Sequence, residues 1–261
     1  MEQIKLKISL IQMDVAYKDP DANLNRAETM INKALKQRKK PNVLVLPEMW
    51  TSGGYQKESK IHDGSPAVNR LKEIAAKNSV NIVAGSVIES RGDKDVFNTA
   101  YIIDRQGNII AAYDQVHRQR HEQHAQGSDA VTFDIDGICC GIILGYDLRF
   151  PEFVRQLALK GAKVLFVPGM WSGPREIHWK LLNIVRAIEN QFFVVAVNGA
   201  GKTGDVSYPG MSMVVDPWGE ILIEGDDTPD ILTTVIDIGL VDRARAQNPV
   251  LSDRRPDVYK D

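Results

Sequence analysis

The chain has 261 residues, 43% of them hydrophobic and 25% charged, the make-up of a folded globular protein long enough to bury a large core in one or two domains. Its 32 Lys and Arg against 34 Asp and Glu leave a net charge of -2, which supplies no field to draw it to nucleic acid or an anionic membrane and makes small molecules and other proteins the expected partners. No apolar run approaches the roughly 20 residues of a membrane span, and Met1-Glu2-Gln3-Ile4-Lys5 lacks the apolar segment of a secretory signal, so a cytoplasmic location is expected.

Leu6, Ile8 and Leu10 alternate along the first predicted strand, and Leu24, Ala27, Ile31 and Leu35 then share one helical stripe. Val43-Leu44-Val45-Leu46 is the unbroken apolar run of a strand covered on both faces, and it ends at Pro47-Glu48. Glu48 therefore stands at a strand's carboxyl end, where α/β sheets bind ligands; the structural alternative is a carboxylate capping the following turn. Further strands are expected over Asn81 to Val87, Thr99 to Asp104, Asn108 to Ala112 and Ile138 to Leu144, with a hairpin turn at Asp104-Arg105-Gln106-Gly107. Later come a strand at Val164 to Val167, a helix from Pro174 to about Asn190 carrying Leu182, Val185 and Ile188 on its apolar side, and strands at Phe192 to Val197, Met211 to Asp216, Ile221 to Glu224 and Ile231 to Asp237. This rhythm predicts one α/β domain over residues 1–261, with its core at about 4–240 and a polar tail, 241–261, that docks on a neighbour. Cys139 and Cys140 are adjacent, so their side chains point to opposite faces of a strand and they read as buried free thiols.

Three segments resemble the nitrilase superfamily of carbon-nitrogen hydrolases in order and spacing: Leu46-Pro47-Glu48, Gly145-Tyr146-Asp147-Leu148-Arg149-Phe150-Pro151-Glu152 and Arg186-Ala187-Ile188-Glu189-Asn190. Asn98-Thr99-Ala100, Asp216-Pro217-Trp218-Gly219-Glu220 and the terminal Asp253-Arg254-Arg255-Pro256-Asp257-Val258-Tyr259 support the match, which is similar to the short omega-amidase-like branch and covers nearly the whole chain. The resemblance implies a four-layer αββα sandwich that pairs into a homodimer, no metal or organic cofactor, and hydrolysis of small amides by a Glu-Lys-Cys triad. In that chemistry a thiol attacks the carbonyl carbon, a carboxylate serves as base, and an ammonium stabilises the oxyanion.

Carried over by position, Glu48 is the base, Gln115 stands at the lysine position in Tyr113-Asp114-Gln115-Val116-His117, and Gly145 stands at the cysteine position. An amide donates a weaker hydrogen bond than an ammonium, and glycine offers no nucleophile. The segment after His117 is short and brings Glu122 early, as a displaced second glutamate, and Met211 replaces a histidine common before Ser212. These four departures predict an impaired hydrolase or a pseudoenzyme that keeps a pocket for a small amide or carboxylate. The rival reading is weak hydrolysis by water activated at Glu48. Neither Cys139 nor Cys140 can stand in for the thiol, since five or six extended residues span roughly 16 to 20 Å. Tyr146, His117 and Trp171 are expected around the oxyanion and pocket, Trp171 with a core aromatic as its equal alternative. Arg149, Glu152, Arg186 and Glu189 are expected to support the site and the dimer interface, and His178 to be packed or capped. A metal at His117, His121 and Glu122 is the remaining alternative, because His117 and His121 share the i, i+4 spacing of one helical face.

Overall fold

A computed structural model describes residues 4–54, 65–91 and 95–259; Met1 to Gln3, part of the leader reading, lie outside them. Two six-stranded sheets lie face to face. The first has the order β14-β1-β2-β3-β4-β5, from strands β1 (Lys5–Gln12), β2 (Val43–Val45), β3 (Asn81–Arg91), β4 (Asp95–Ile103), β5 (Ile109–Asp114) and β14 (Asp230–Asp237). The second has the order β13-β12-β9-β8-β7-β6, from β6 (Thr132–Ile135), β7 (Ile138–Ile142), β8 (Val164–Pro168), β9 (Phe193–Val197), β12 (Met213–Val215) and β13 (Ile221–Glu224). Strands β10 (Ala200–Thr203) and β11 (Val206–Pro209) form a separate hairpin. The centre of each sheet is parallel, β1-β2-β3 in one and β7-β8-β9 in the other.

Alternation along the strands explains the layers. Val43 and Val45 join the core between the sheets, while Leu44 and Leu46 join the one beneath helices α1 (Pro20–Leu35) and α2 (Ser65–Asn78). A strand buried on both faces is therefore apolar at every position. On the far side, α3 (Pro151–Leu159) and α4 (Glu176–Asn190) cover the second sheet, completing the expected αββα sandwich. Helix α5 (Gly239–Gln247) buries Val241 and Ala244, and Arg245 donates to the carbonyls of Gln191 and Ala162, so the core continues past residue 240. No helix among the described residues is long and apolar enough to cross a membrane.

One expectation about α4 holds only in part: Leu182 packs against the core, but Val185 and Ile188 do not. Its inner face carries Trp179, Asn183, Arg186, Ala187 and Asn190, whereas Ile177, Leu181, Val185 and Ile188 are 43 to 57% exposed. Apolar periodicity alone cannot say which stripe faces inward, and here the inner one holds polar groups that bond to the helix or its neighbours: Asn183 and Asn190 donate to carbonyls one turn back, and Arg186 donates to Leu148. The two thiols also differ. Cys140 is buried and Cys139 only partly so, because the pleat turns them to opposite sides.

Candidate active site

Glu48, Gln115 and Gly145 leave the carboxyl ends of β2, β5 and β7 and converge on one cavity of about 550 Å³. The loop bearing Glu48 crosses β3 closely enough that a side chain at Gly85, whose φ is +63°, would meet the Pro47 carbonyl at 1.9 Å; only glycine permits that passage. Ser86 Oγ accepts from the Met49 N–H at 2.9 Å, and the Glu48 N–H donates to the Gly169 carbonyl at 3.3 Å. The backbone on both sides of the carboxylate is thus held.

The Glu48 carboxylate is 4% exposed. Its Oε1 accepts from Asn98 Nδ2 at 2.9 Å and Gln115 Nε2 at 3.2 Å, and its Oε2 accepts from the Met170 N–H at 3.2 Å. Asn98 Nδ2 also donates to Gln115 Oε1 at 3.0 Å, closing a buried triangle of three side chains. Burial, together with the negative charges of Glu122 and Asp147, raises the Glu48 pKa to about 8 against the pull of the Asn98 and Met170 donors. At neutral pH this carboxyl is therefore mostly protonated.

Gly145 opens a short 3-10 turn, Gly145–Arg149. A Cβ built on it would lie 2.3 Å from Glu48 Oε2 and 3.3 Å from its carboxyl carbon. The acid has settled into the volume that any side chain at 145 would need. The turn itself is anchored by Asp147, fully buried, which accepts from Tyr113 Oη (2.6 Å), the Leu144 N–H (3.0 Å), the His117 N–H (2.8 Å) and His117 Nδ1 (2.9 Å). From below, Arg186 Nε and Nη2 donate to the Leu148 carbonyl at 3.1 and 2.8 Å, which fits its expected supporting role.

The remaining sequence candidates divide. Glu122 and Tyr146 line the cavity. Trp171 satisfies both of its alternatives, since it lines the cavity and belongs to the core, with Nε1 donating to the Arg175 carbonyl at 2.8 Å. His117 is not on the cavity wall; its ring stacks on Phe150 at 3.7 Å and is tied to Asp147. Met211 is likewise off the wall, its carbonyl accepting from Trp179 Nε1. The metal alternative needed a helix through 117–121, and that segment is a non-helical loop; no cluster of three or more metal-binding side chains forms among the described residues. Instead Glu122 Oε2 accepts from the Gln119 N–H at 2.8 Å and lies 3.6 Å from the buried His124 Nε2. Burial pushes the Glu122 carboxyl up, but hydrogen bonds from His124 and Gln119, with charge from His124 and His121, bring it net below the ordinary value.

Two residues carry more of the site than the sequence suggested. Asn98, buried in the middle of β4, orients both Glu48 and Gln115. Arg149, expected as a support, lines the cavity with its guanidinium 4.5 Å from the Trp171 ring centre and 5.8 Å from that of Tyr146, geometry that favours a cation over an aromatic face. Its contact with His178 is long, at 3.5 Å, and it has no carboxylate partner among the described residues. The outward aim of Arg149 from the turn could have been sought in the sequence, since it sits four residues past Gly145; the Asn98 contact could not, because it spans three strands.

Paired open sheets layered between helices, with a glutamate, an asparagine and a glutamine meeting a strand-to-helix turn in one cavity, define an αββα sandwich with a buried polar site at the strands' carboxyl ends. A family model described as carbon-nitrogen hydrolase matches residues 7–246. The chain is 41% identical to 2-oxoglutaramate amidase of Bacillus subtilis, over 98% of this chain and 100% of that protein, and 30% identical to omega-amidase NIT3 of Saccharomyces cerevisiae, over 98% and 96%. Among solved structures it is similar to Saccharomyces cerevisiae Nit3, a member of branch 10 of the nitrilase superfamily, with a TM-score of 0.88 and 29% identity over 98% of both chains. A CN-hydrolase superfamily protein of Xanthomonas campestris gives the same score and identity over 97% and 98%. The chain belongs to the carbon-nitrogen hydrolase family, in the omega-amidase-like branch of the nitrilase superfamily.

Proposed function

We propose that this protein binds a small carboxylate-bearing amide or acid in the cavity and does not hydrolyse it. The observation that carries the reading is Gly145, a residue with no nucleophile, whose side-chain volume is taken by the Glu48 carboxyl. Gln115 supports it, being a neutral donor already engaged by that same acid. Retention of a ligand is supported by the cavity's size, within the roughly 300 to 1,000 Å³ of small-molecule sites, and by Arg149, a guanidinium without a carboxylate partner whose planar fork suits a ligand carboxylate. The relatives named 2-oxoglutaramate amidase and omega-amidase suggest ω-amides of short dicarboxylic acids as the ligands to try first. Assays of purified protein with glutaramate and succinamate should give ammonia at the rate of buffer alone; turnover that is lost in Glu48→Gln would overturn the proposal.

One observation favours a second reading, weak hydrolysis by water. A Glu48 pKa of about 8 is close to that of an efficient general base at neutral pH. That route predicts a rate that climbs with pH through about 8 in the parent and is flat in Glu48→Gln.

The proposal includes a cytoplasmic homodimer. Free thiols at Cys139 and Cys140 suit a reducing compartment, and the exposed Ile177, Leu181, Val185 and Ile188 stripe on α4 is a face that pairing would cover. Sedimentation should find a dimer that Leu181→Asp converts to monomer; a monomeric parent at micromolar concentration would refute it.

A further inference from the structure

The cavity wall carries both signs of charge, with Arg149, Arg175 and His121 on it together with two carboxyls. Glu48, Glu122 and Gln115 line it, and no Lys or Arg forms an ion pair with either carboxyl among the described residues; the partner of Glu122 is His124, at 3.6 Å. Tyr208, also on the wall, has its pKa pushed to about 12 by burial and by the Glu48 charge. Glu122, Asp147, Tyr113 and Tyr208 couple to the charge of Glu48, and the cationic groups on the same cavity are Arg149, Arg175 and His121. Histidine charge offsets Glu122 but not Glu48, whose burial beside the Glu122 carboxylate is relieved in the free protein by keeping Glu48 protonated.

From this arrangement, and resting on the ligand-binding reading above, we infer that the cavity selects zwitterionic ω-amino acids, with the ligand's ammonium seated between Glu48 and Glu122 and its carboxylate on Arg149. Three protein donors reach Glu48, two at Oε1 and one at Oε2, and a carboxylate has about four lone-pair sites. The remaining site is on Oε2, the oxygen that also lies over Gly145. An ammonium offers three donors and no acceptor, so it can serve that oxygen and a Glu122 oxygen together. A dicarboxylate would bring a second anion beside the two carboxyls. An amide would bring a donor without charge.

The inference makes a proton measurable. Glu48 with a pKa of about 8 is about 90% protonated at pH 7, and an ammonium bound beside it favours the ionised form. Binding therefore releases up to about one proton, from Glu48 to solvent.

The test is isothermal titration calorimetry of the intact protein at pH 7, in two buffers of different ionisation enthalpy. The ligands are 4-aminobutanoate, 5-aminopentanoate and 6-aminohexanoate, with glutarate and glutaramate as the anionic and neutral-ended counterparts. The expected result is one ω-amino acid that binds at least about tenfold more tightly than either counterpart, with proton release that disappears in Glu48→Gln. Thermal melting of Glu48→Gln checks that it is folded, and proton release by the parent needs no variant. Glutarate or glutaramate binding as tightly as the amino acids, with a loss of affinity in Arg149→Gln, would overturn the inference and leave the ligand-binding reading standing. Amino-acid binding without proton release, or with proton uptake, would also overturn it. No binding by any of the five would overturn both.

Discussion

Replacing Gly145 by cysteine tests whether Glu48 truly occupies the nucleophile's volume. The glycine's φ lies outside the left-handed region, so the backbone accepts a side chain and the obstacle is steric alone. The new Cβ would be 2.3 Å from Oε2, against the roughly 3.5 to 4.0 Å of comfortable heavy-atom contact. Glu48 must therefore withdraw by about 1 Å or more, which disturbs the three hydrogen bonds at its carboxyl. Overpacking of this kind costs about 1–3 kcal/mol, partly offset by the 0.4–1 kcal/mol or so that leaving glycine gains through the unfolded chain. A net loss of about 1–2 kcal/mol should appear in urea unfolding, and in thermal unfolding as a melting temperature lower by roughly 2–4 °C for each kcal/mol. A double-mutant cycle with Glu48→Ala isolates the cause: in that background the cost of Gly145→Cys should vanish. If Gly145→Cys is as stable as the parent, or equally costly with and without Glu48, the carboxyl does not sit over Gly145 and the steric argument fails.

Stability should depend on pH through Glu48. Because the folded state keeps a proton that the unfolded chain releases above about 4.5, stability should fall as pH rises from 4.5 to about 8, by up to several kcal/mol; a Glu48→Gln protein with the same slope would contradict this. Asp147→Ala should cost about 3–5 kcal/mol in urea unfolding, since it strips a buried carboxylate from four donors, and a loss under 1 kcal/mol would show the clamp to be dispensable. Burial raises the pKa of both thiols, Cys140 far more than Cys139, so an aromatic disulfide reagent should label Cys139 slowly in native protein and Cys140 only on unfolding. Equal, rapid labelling of both would refute the buried placement.

Much of the sandwich was legible because its central strands are buried on both faces and so carry unbroken apolar runs, as Val43 to Leu46 does. Helices α2, α3 and α5 and the β10-β11 hairpin were not read, since their apolar spacing is interrupted by alanine, charged residues or short length, and the apolar stripe of α4 pointed only partly inward, through Leu182, because a neighbouring turn supplies a buried partner for Arg186. The positions of Glu48, Gln115 and Gly145 followed from motif order, and they do meet in one cavity. What motif order could not convey was distance. His117 was expected at the pocket and instead clamps Asp147, and Asn98 proved central only once β4 was seen lying between β3 and β5.

Single-turnover chemistry tests the account's central claim most directly. With protein in excess over glutaramate, every amide molecule can occupy a cavity, so even a slow acyl transfer would be visible as ammonia. The account predicts ammonia release indistinguishable from buffer and amide recovered intact after denaturation. One equivalent of ammonia, released by the parent and not by Glu48→Gln, would contradict it.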